Sequence, residues 1–286
     1  MKKTLSLLLA LSLAVGTLAG CSSKPASVQE STAATENNSS ETTAPAAEET
    51  SGGTLKIGIK SECVHTMLSF DLTGAGVDYY YSWPVYESLF KPNAQGSVDP
   101  WLLEDYSYDS EAKTYTFNVR KGVTFSDGTV LDAEAVKWNL DHYLEVGAKV
   151  EALLSSIESV EVVDDYTVQL NLSTWSSILP YAFSRECGYM FSPTFYEEHG
   201  DDYCKEHPCG TGPFVMTDWT YDVSKTFEKR DDYWGGDVKL DAVQYIIYTD
   251  ALVAASALQS GEIDAYLALD AETADSLEAL GYNIKT

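Results

Sequence analysis

The chain has 286 residues, with 18 Lys and Arg against 44 Asp and Glu and a formal net charge of −26. An apolar fraction of 44%, with 12% aromatics, is too rich in packing residues for a disordered chain and allows one or two domains with a proper core. Acidity on this scale repels a phosphate backbone or an anionic lipid surface, which excludes nucleic-acid binding, and a multi-span membrane protein is excluded because only the extreme N-terminus is apolar enough to enter a bilayer.

Lys2 and Lys3 precede an apolar run from Leu5 to Ala19 that ends in Leu18-Ala19-Gly20-Cys21. About 15 apolar residues is short for a spanning helix, so residues 1–20 read as a secretory signal peptide. Leu-Ala-Gly-Cys resembles the bacterial lipobox, and the resemblance implies that Cys21 is lipidated and becomes the first residue of the mature protein. The alternative is an ordinary cleaved leader with an incidental cysteine. Residues 22–53 hold no aromatic residue and one branched aliphatic, Val28, among Ser, Thr, Ala and Glu, so they cannot bury enough surface to fold. They read as a tether whose flexible-coil span is about 30 Å.

From Thr54 onward the pattern becomes that of a folded chain. Leu55, Ile57 and Ile59 alternate with polar residues as in a half-buried strand, as do Tyr115, Phe117 and Val119. Asp132 is placed to cap a helix whose apolar face is Val136, Leu140, Tyr143 and Leu144. Apolar runs on either side of Asp164-Asp165 predict a hairpin. Further strands are expected near 189–192, 214–220, 224–230 and 242–248, and helices near 174–183, 251–260 and 271–280. The mixture predicts an α/β or α+β fold.

Five groups of residues occur in a recognisable order: Val85-Tyr86-Glu87-Ser88-Leu89 with Asp99-Pro100-Trp101-Leu102, Tyr115 to Thr129, Gly210-Thr211-Gly212-Pro213-Phe214, Asp232-Tyr233-Trp234-Gly235-Gly236, and Ser260-Gly261-Glu262-Ile263-Asp264. In that order they resemble the family 5 solute-binding proteins of bacterial ABC importers, the peptide and nickel group. The resemblance implies a periplasmic-binding-protein-like II fold of the class with an extra domain, here about 92–175. It also implies that residues 54–286 hold most of the first lobe while the second is largely missing. A carboxylate that pairs with a peptide's amine in this family falls in the missing part. Residues 54–286 are therefore expected to bind peptide more weakly than a two-lobed chain.

Gly210-Thr211-Gly212-Pro213 mixes permissive glycine with rigid proline before a strand and is expected near the hinge. Ser61 to Thr66 follow the first strand, and in the family the equivalent chain lies along the ligand; Cys63, Val64, His65 and Thr66 are thus candidate ligand contacts. Tyr80 and Trp83, from the aromatic run 79–83, are candidates for stacking on a ligand. Trp138, Trp175 and Trp219 are assigned to the core, and Glu197, Glu198, Asp201 and Asp202 to a solvated loop.

No Gly-x-Ser-x-Gly elbow, His-Glu-x-x-His helix or phosphate loop occurs, so no catalytic residue is assigned. Cys204-x-x-His207-x-Cys209 has metal-site chemistry, but an extracytoplasmic compartment favours a disulfide. The expected pairs are Cys204 with Cys209 and Cys63 with Cys187; no metal or cofactor is assigned. The expected function is a lipid-anchored receptor, monomeric when complete, on the extracytoplasmic face of the bacterial membrane, the periplasmic side in a Gram-negative source. It captures oligopeptides for an ABC permease and its ATPases. Nickel, haem, a glycan or an opine is the alternative ligand, and a surface-tethered hydrolase or adhesin the alternative class.

Overall fold

The computed structural model describes residues 51–61, 65–72, 78–146, 151–267 and 271–285. In chain order the elements are β1 (Thr54–Ile59), α1 (Asp78–Ser82), β2 (Phe90–Pro92), β3 (Val98–Pro100), β4 (Leu103–Asp109), β5 (Thr114–Val119), α2 (Ala133–Val146), α3 (Glu151–Leu154), β6 (Ile157–Asp164) and β7 (Thr167–Leu172). There follow α4 (Leu179–Ala182), α5 (Pro193–His199), α6 (Asp201–Cys204), β8 (Phe214–Thr220), β9 (Ser224–Lys229), β10 (Ala242–Ile247), α7 (Ala251–Ser260), β11 (Ala265–Tyr266) and α8 (Ala271–Ala279). No helix among the described residues is long and apolar enough to cross a membrane.

A five-stranded sheet runs in the order β11-β1-β10-β9-β8. β1 is parallel to both β10 and β11, whereas β9 is antiparallel to β10 and β8. The first strand thus lies inside a sheet completed by chain nearly two hundred residues later. Gly58 makes this closeness possible: a Cβ there would lie 2.6 Å from Ile263 Cδ1 and 2.9 Å from Tyr266 Cδ2. α7, capped by the Asp250 carboxylate accepting from Leu252 and Val253 N–H and ended by left-handed Gly261, carries the chain between β10 and β11.

A second, antiparallel sheet has the order β4-β5-β7-β6 and lies inside the 92–175 span expected of the extra domain. Alternation on β5 and β7 buries Tyr115, Phe117, Val119, Val168, Leu170 and Leu172. α2 packs against β6 and β7 with Val136 and Leu140 fully buried, and Asp132 caps it by accepting from Ala135 N–H at 2.9 Å. Each such side chain contributes at most about 1.5–3 kcal/mol by leaving water. Arg230, just past β9, donates to the Thr124 and Phe125 carbonyls and to Asp232, tying the end of β9 to the segment between β5 and α2.

Three expectations are corrected. Residues 189–192 are not a strand: Phe191 exchanges both backbone hydrogen bonds with the Asn139 carboxamide, and Ser192 N–H donates to the Cys209 carbonyl. These partners leave only isolated bridges, Ser88 with Tyr189 and Phe191 with Gly210. The helix expected over 174–183 shrinks to α4, which starts where Pro180 can occupy a first turn. The acidic segment 197–202 is helical: Ser192 caps α5 through Phe195 N–H, Pro193 opens it, and Gly200, at φ 79°, separates it from α6.

Candidate functional site

Residues of two motif groups, 85–102 and 232–236, converge on one side chain. Glu87 Oε1 accepts from Trp101 Nε1 at 2.9 Å and from the Tyr233 hydroxyl at 2.6 Å, while its Oε2 accepts from Trp234 Nε1 at 2.7 Å. Burial raises the pKa of this carboxyl above the ordinary carboxylate value, and the three donors work in the opposite direction. The two indoles pack with centroids 5.3 Å apart, and the Lys91 ammonium lies 3.5 Å over Trp101. A lone carboxylate in the apolar run Val85-Tyr86-Glu87-Ser88-Leu89 was the signal for such a hub, since a buried charge needs donors.

Against this hub lies a cavity of about 400 Å³ lined by Tyr80, Trp83, Glu87, Lys91, Trp101 and Arg185 among others. Trp83 is 59% exposed and meets Tyr80 edge to face at 6.2 Å. Tyr81, one residue along α1, is instead buried against Tyr245 and under the Lys225 ammonium. α1 therefore turns Tyr81 into the core, while Tyr80 and, just past the helix, Trp83 line the cavity. Arg185 follows α4, with Nη1 3.5 Å from the Tyr181 hydroxyl and Nε 4.0 Å from Glu186. Aromatic walls with a guanidinium and an ammonium suit a ligand that carries apolar groups and a carboxylate. Arg185 and Lys91 were not singled out in the sequence, because no spacing links them to Tyr80 or Trp83.

The remaining candidates are placed less uniformly. The segment 65–67 is pinned on two sides, by the Tyr86 hydroxyl donating to the Met67 carbonyl at 2.7 Å and by Met67 N–H donating to the Lys205 carbonyl at 2.6 Å. Thr66 Oγ1 accepts from Leu68 N–H and so serves its own turn. His65 does not share the cavity of Tyr80 and Trp83; it stacks on Tyr221 in a second cavity of about 250 Å³ with Trp219 and His207. Cys21, Cys63 and Val64 lie outside the described residues.

Gly210 to Pro213 form a buried seam. Gly212 N–H donates to the Val85 carbonyl and Phe214 N–H to the Pro84 carbonyl, at 2.8 and 2.9 Å. A Cβ at Gly212 would lie 2.7 Å from the Pro84 carbonyl oxygen, so the glycine is required by backbone contact. Of the core tryptophans, Trp138, Trp175 and Trp219 are half-buried and packed against the core.

The expected Cys204–Cys209 bridge is not formed, and Cys187 is likewise a free thiol; all three are buried. The Ser126 hydroxyl donates to Cys209 Sγ at 3.3 Å, and Cys204 closes α6. Burial pushes the Cys187 and Cys209 thiols up to about 12 and Cys204 to about 11, which suppresses the thiolate needed for exchange. His207 instead stacks on Tyr203 with centroids 3.9 Å apart.

Comparison with known proteins bears directly on this arrangement. Residues 97–284 match the family described as bacterial extracellular solute-binding proteins, family 5 Middle. The chain belongs to family 5 of the bacterial extracellular solute-binding proteins. Among its family 5 relatives, the glutathione-binding protein GsiB of Salmonella paratyphi A is 34% identical over 180 residues, covering 62% of this chain and 35% of that protein. The nickel-binding periplasmic protein of Escherichia coli K12 is 28% identical over 184 residues, 63% of this chain and 35% of the relative. The structure resembles DppA of Helicobacter pylori in complex with the peptide STSA, with a TM-score of 0.66, 25% identity and coverage of 75% of this chain and 46% of that one. The chain thus spans about a third of these curated relatives and under half of the solved structure. The fold is the mixed α/β architecture of periplasmic binding proteins, as the motif order implied.

Proposed function

We propose that this chain supplies the ligand-facing first lobe of an ABC-importer receptor for oligopeptides, lipid-anchored through Cys21 on the extracytoplasmic face of the membrane. The observation that carries the peptide assignment is the cavity in which Tyr80 and Trp83 face Arg185 and Lys91 beside the Glu87 hub. Aromatic faces take up the apolar parts of a peptide without demanding one sequence, and the guanidinium pairs with its terminal carboxylate. The names of the GsiB relative and of peptide-bound DppA point the same way, because glutathione is itself a tripeptide. Function then consists of binding and release: a ligand that prefers the closed form shifts the equilibrium toward it, with residues 210–213 leading the chain between lobes and the permease with its ATPases receiving the ligand. The protein works as a monomer and performs no covalent chemistry.

Calorimetric titration with trialanine, an opine and Ni²⁺ tests the assignment. Saturable heat with trialanine is the expected result. Stoichiometric heat with Ni²⁺ or the opine, and none with the peptide, overturns it.

A further inference from the structure

We propose that the cavity beside His65 is a subsite for a guanidinium side chain carried by the bound peptide; the proposal rests on the peptide-binding reading above. Its position comes from the sheet. β1 and β10 run parallel and finish together at the Ile59–Ile247 pair, and Ile247 N–H donates to the Val223 carbonyl in the turn between β8 and β9. Tyr221 begins that turn, so it stands at the end of the sheet where parallel strands finish, which is where open α/β sheets take ligands. His65, six residues beyond β1, reaches the same place: its Nδ1 lies 3.0 Å from the Tyr221 hydroxyl and the rings stack at 5.8 Å.

The lining has one kind of charge. Among the described residues, the cavity of about 250 Å³ has Glu206, Asp218, Trp219 and Tyr221 in its walls and no Lys or Arg. Residues 216–219 all line it, and the register of β8 against β9 shifts between Met216 and Asp218, an irregularity of the kind that re-aims side chains. His207 joins the lining with its Nδ1 donating to the Tyr203 carbonyl at 3.0 Å, which leaves Nε2 as its second ring nitrogen. Trp219 already serves as a cation receptor for the buried Lys225 ammonium, 4.1 Å from its ring, and that lysine is not part of the lining. Flat aromatic walls beside carboxylates match a planar guanidinium, which stacks and donates to both at once. A compact, strongly hydrated ammonium makes less of the same walls.

The test compares Ala-Arg-Ala, Ala-Ala-Ala and Ala-Glu-Ala by calorimetry on the purified chain at physiological salt. Ala-Arg-Ala should bind about tenfold more tightly than Ala-Ala-Ala, the scale of one charge-assisted hydrogen bond, and Ala-Glu-Ala more weakly than either. Asp218→Asn and Glu206→Gln should each shrink the arginine preference. Asp275→Asn, which removes an exposed carboxylate on α8, should keep it and so separate the subsite from the general acidity of the chain. Equal affinity for the arginine and alanine peptides, or a preference that survives Asp218→Asn and Glu206→Gln together, overturns the subsite while leaving peptide binding intact. Absence of heat with every peptide overturns the peptide-binding reading and the subsite with it.

Discussion

Glu87 accepts a hydrogen bond from the indole of Trp234 at 2.7 Å across 147 residues of chain. With Trp101 and Tyr233 as its other donors, this carboxylate ties together segments that the sequence presents as separate motifs. The hub also forms one wall of the cavity lined by Tyr80, Trp83 and Arg185, so stability and the geometry of that cavity depend on the same group.

Glu87→Gln keeps the shape but places an NH₂ group among N–H and O–H donors. The expected cost is about 1–3 kcal/mol, the penalty for a buried donor left unsatisfied. Denaturant unfolding of both proteins measures it, and an unchanged midpoint would show that the hub is dispensable.

The pH dependence of that difference has a definite sign. Because burial raises the Glu87 pKa, the folded state holds its proton more tightly than the unfolded state. The stability linked to this group is therefore complete below the ordinary carboxylate range and is lost as pH rises through the raised value. The margin of the native protein over Glu87→Gln should narrow with rising pH in that window. A margin that widens contradicts the assignment.

Gly212→Ala tests the seam between 210–213 and 84–85. The added methyl meets backbone atoms of Pro84 and Val85 at 2.7 Å, and backbone cannot rotate out of the way. A loss of about 1–3 kcal/mol is expected from such overpacking. Gly96→Ala, where nothing lies within 4 Å of the built Cβ but φ is 78°, provides a comparison that isolates backbone strain from packing.

Alkylation mapping checks the cysteines. Cys187, Cys204 and Cys209 should resist iodoacetamide in the native protein and react fully after unfolding without reductant. Recovery of a Cys204–Cys209 linked peptide contradicts the structure and restores the disulfide read from the sequence. The same digest reports on Cys21, for which a thioether-linked lipid is expected after expression in a bacterium.

The regular elements were legible wherever one periodicity dominated. β5 and β7 alternate cleanly because one face is core and the other solvent, and α2 shows its apolar stripe and its Asp132 cap. Residues 189–192 misled because an apolar run buried on all sides has no period, and its partners, Asn139 and Cys209, are far away in sequence. α5 was missed although Ser192-Pro193 is a good helix start, because the acidic residues after it resembled a loop. The cavity was half legible: aromatic residues at 80 and 83 suggested stacking, whereas Arg185 arrives from a turn a hundred residues later. His65 was singled out in the sequence as a ligand contact; the partner it has in the structure, Tyr221, is supplied by a hairpin whose position only the sheet order reveals.

The central claim is that Arg185 receives the carboxylate of a peptide held against Tyr80 and Trp83. Calorimetry of trialanine and trialanine amide with the native chain and with Arg185→Gln tests it most directly. The native chain should prefer the free acid by about tenfold or more, the scale of a charge-assisted hydrogen bond, and Arg185→Gln should bind both forms equally. A preference for the acid that is undiminished in Arg185→Gln, or no preference in the native chain, contradicts the account.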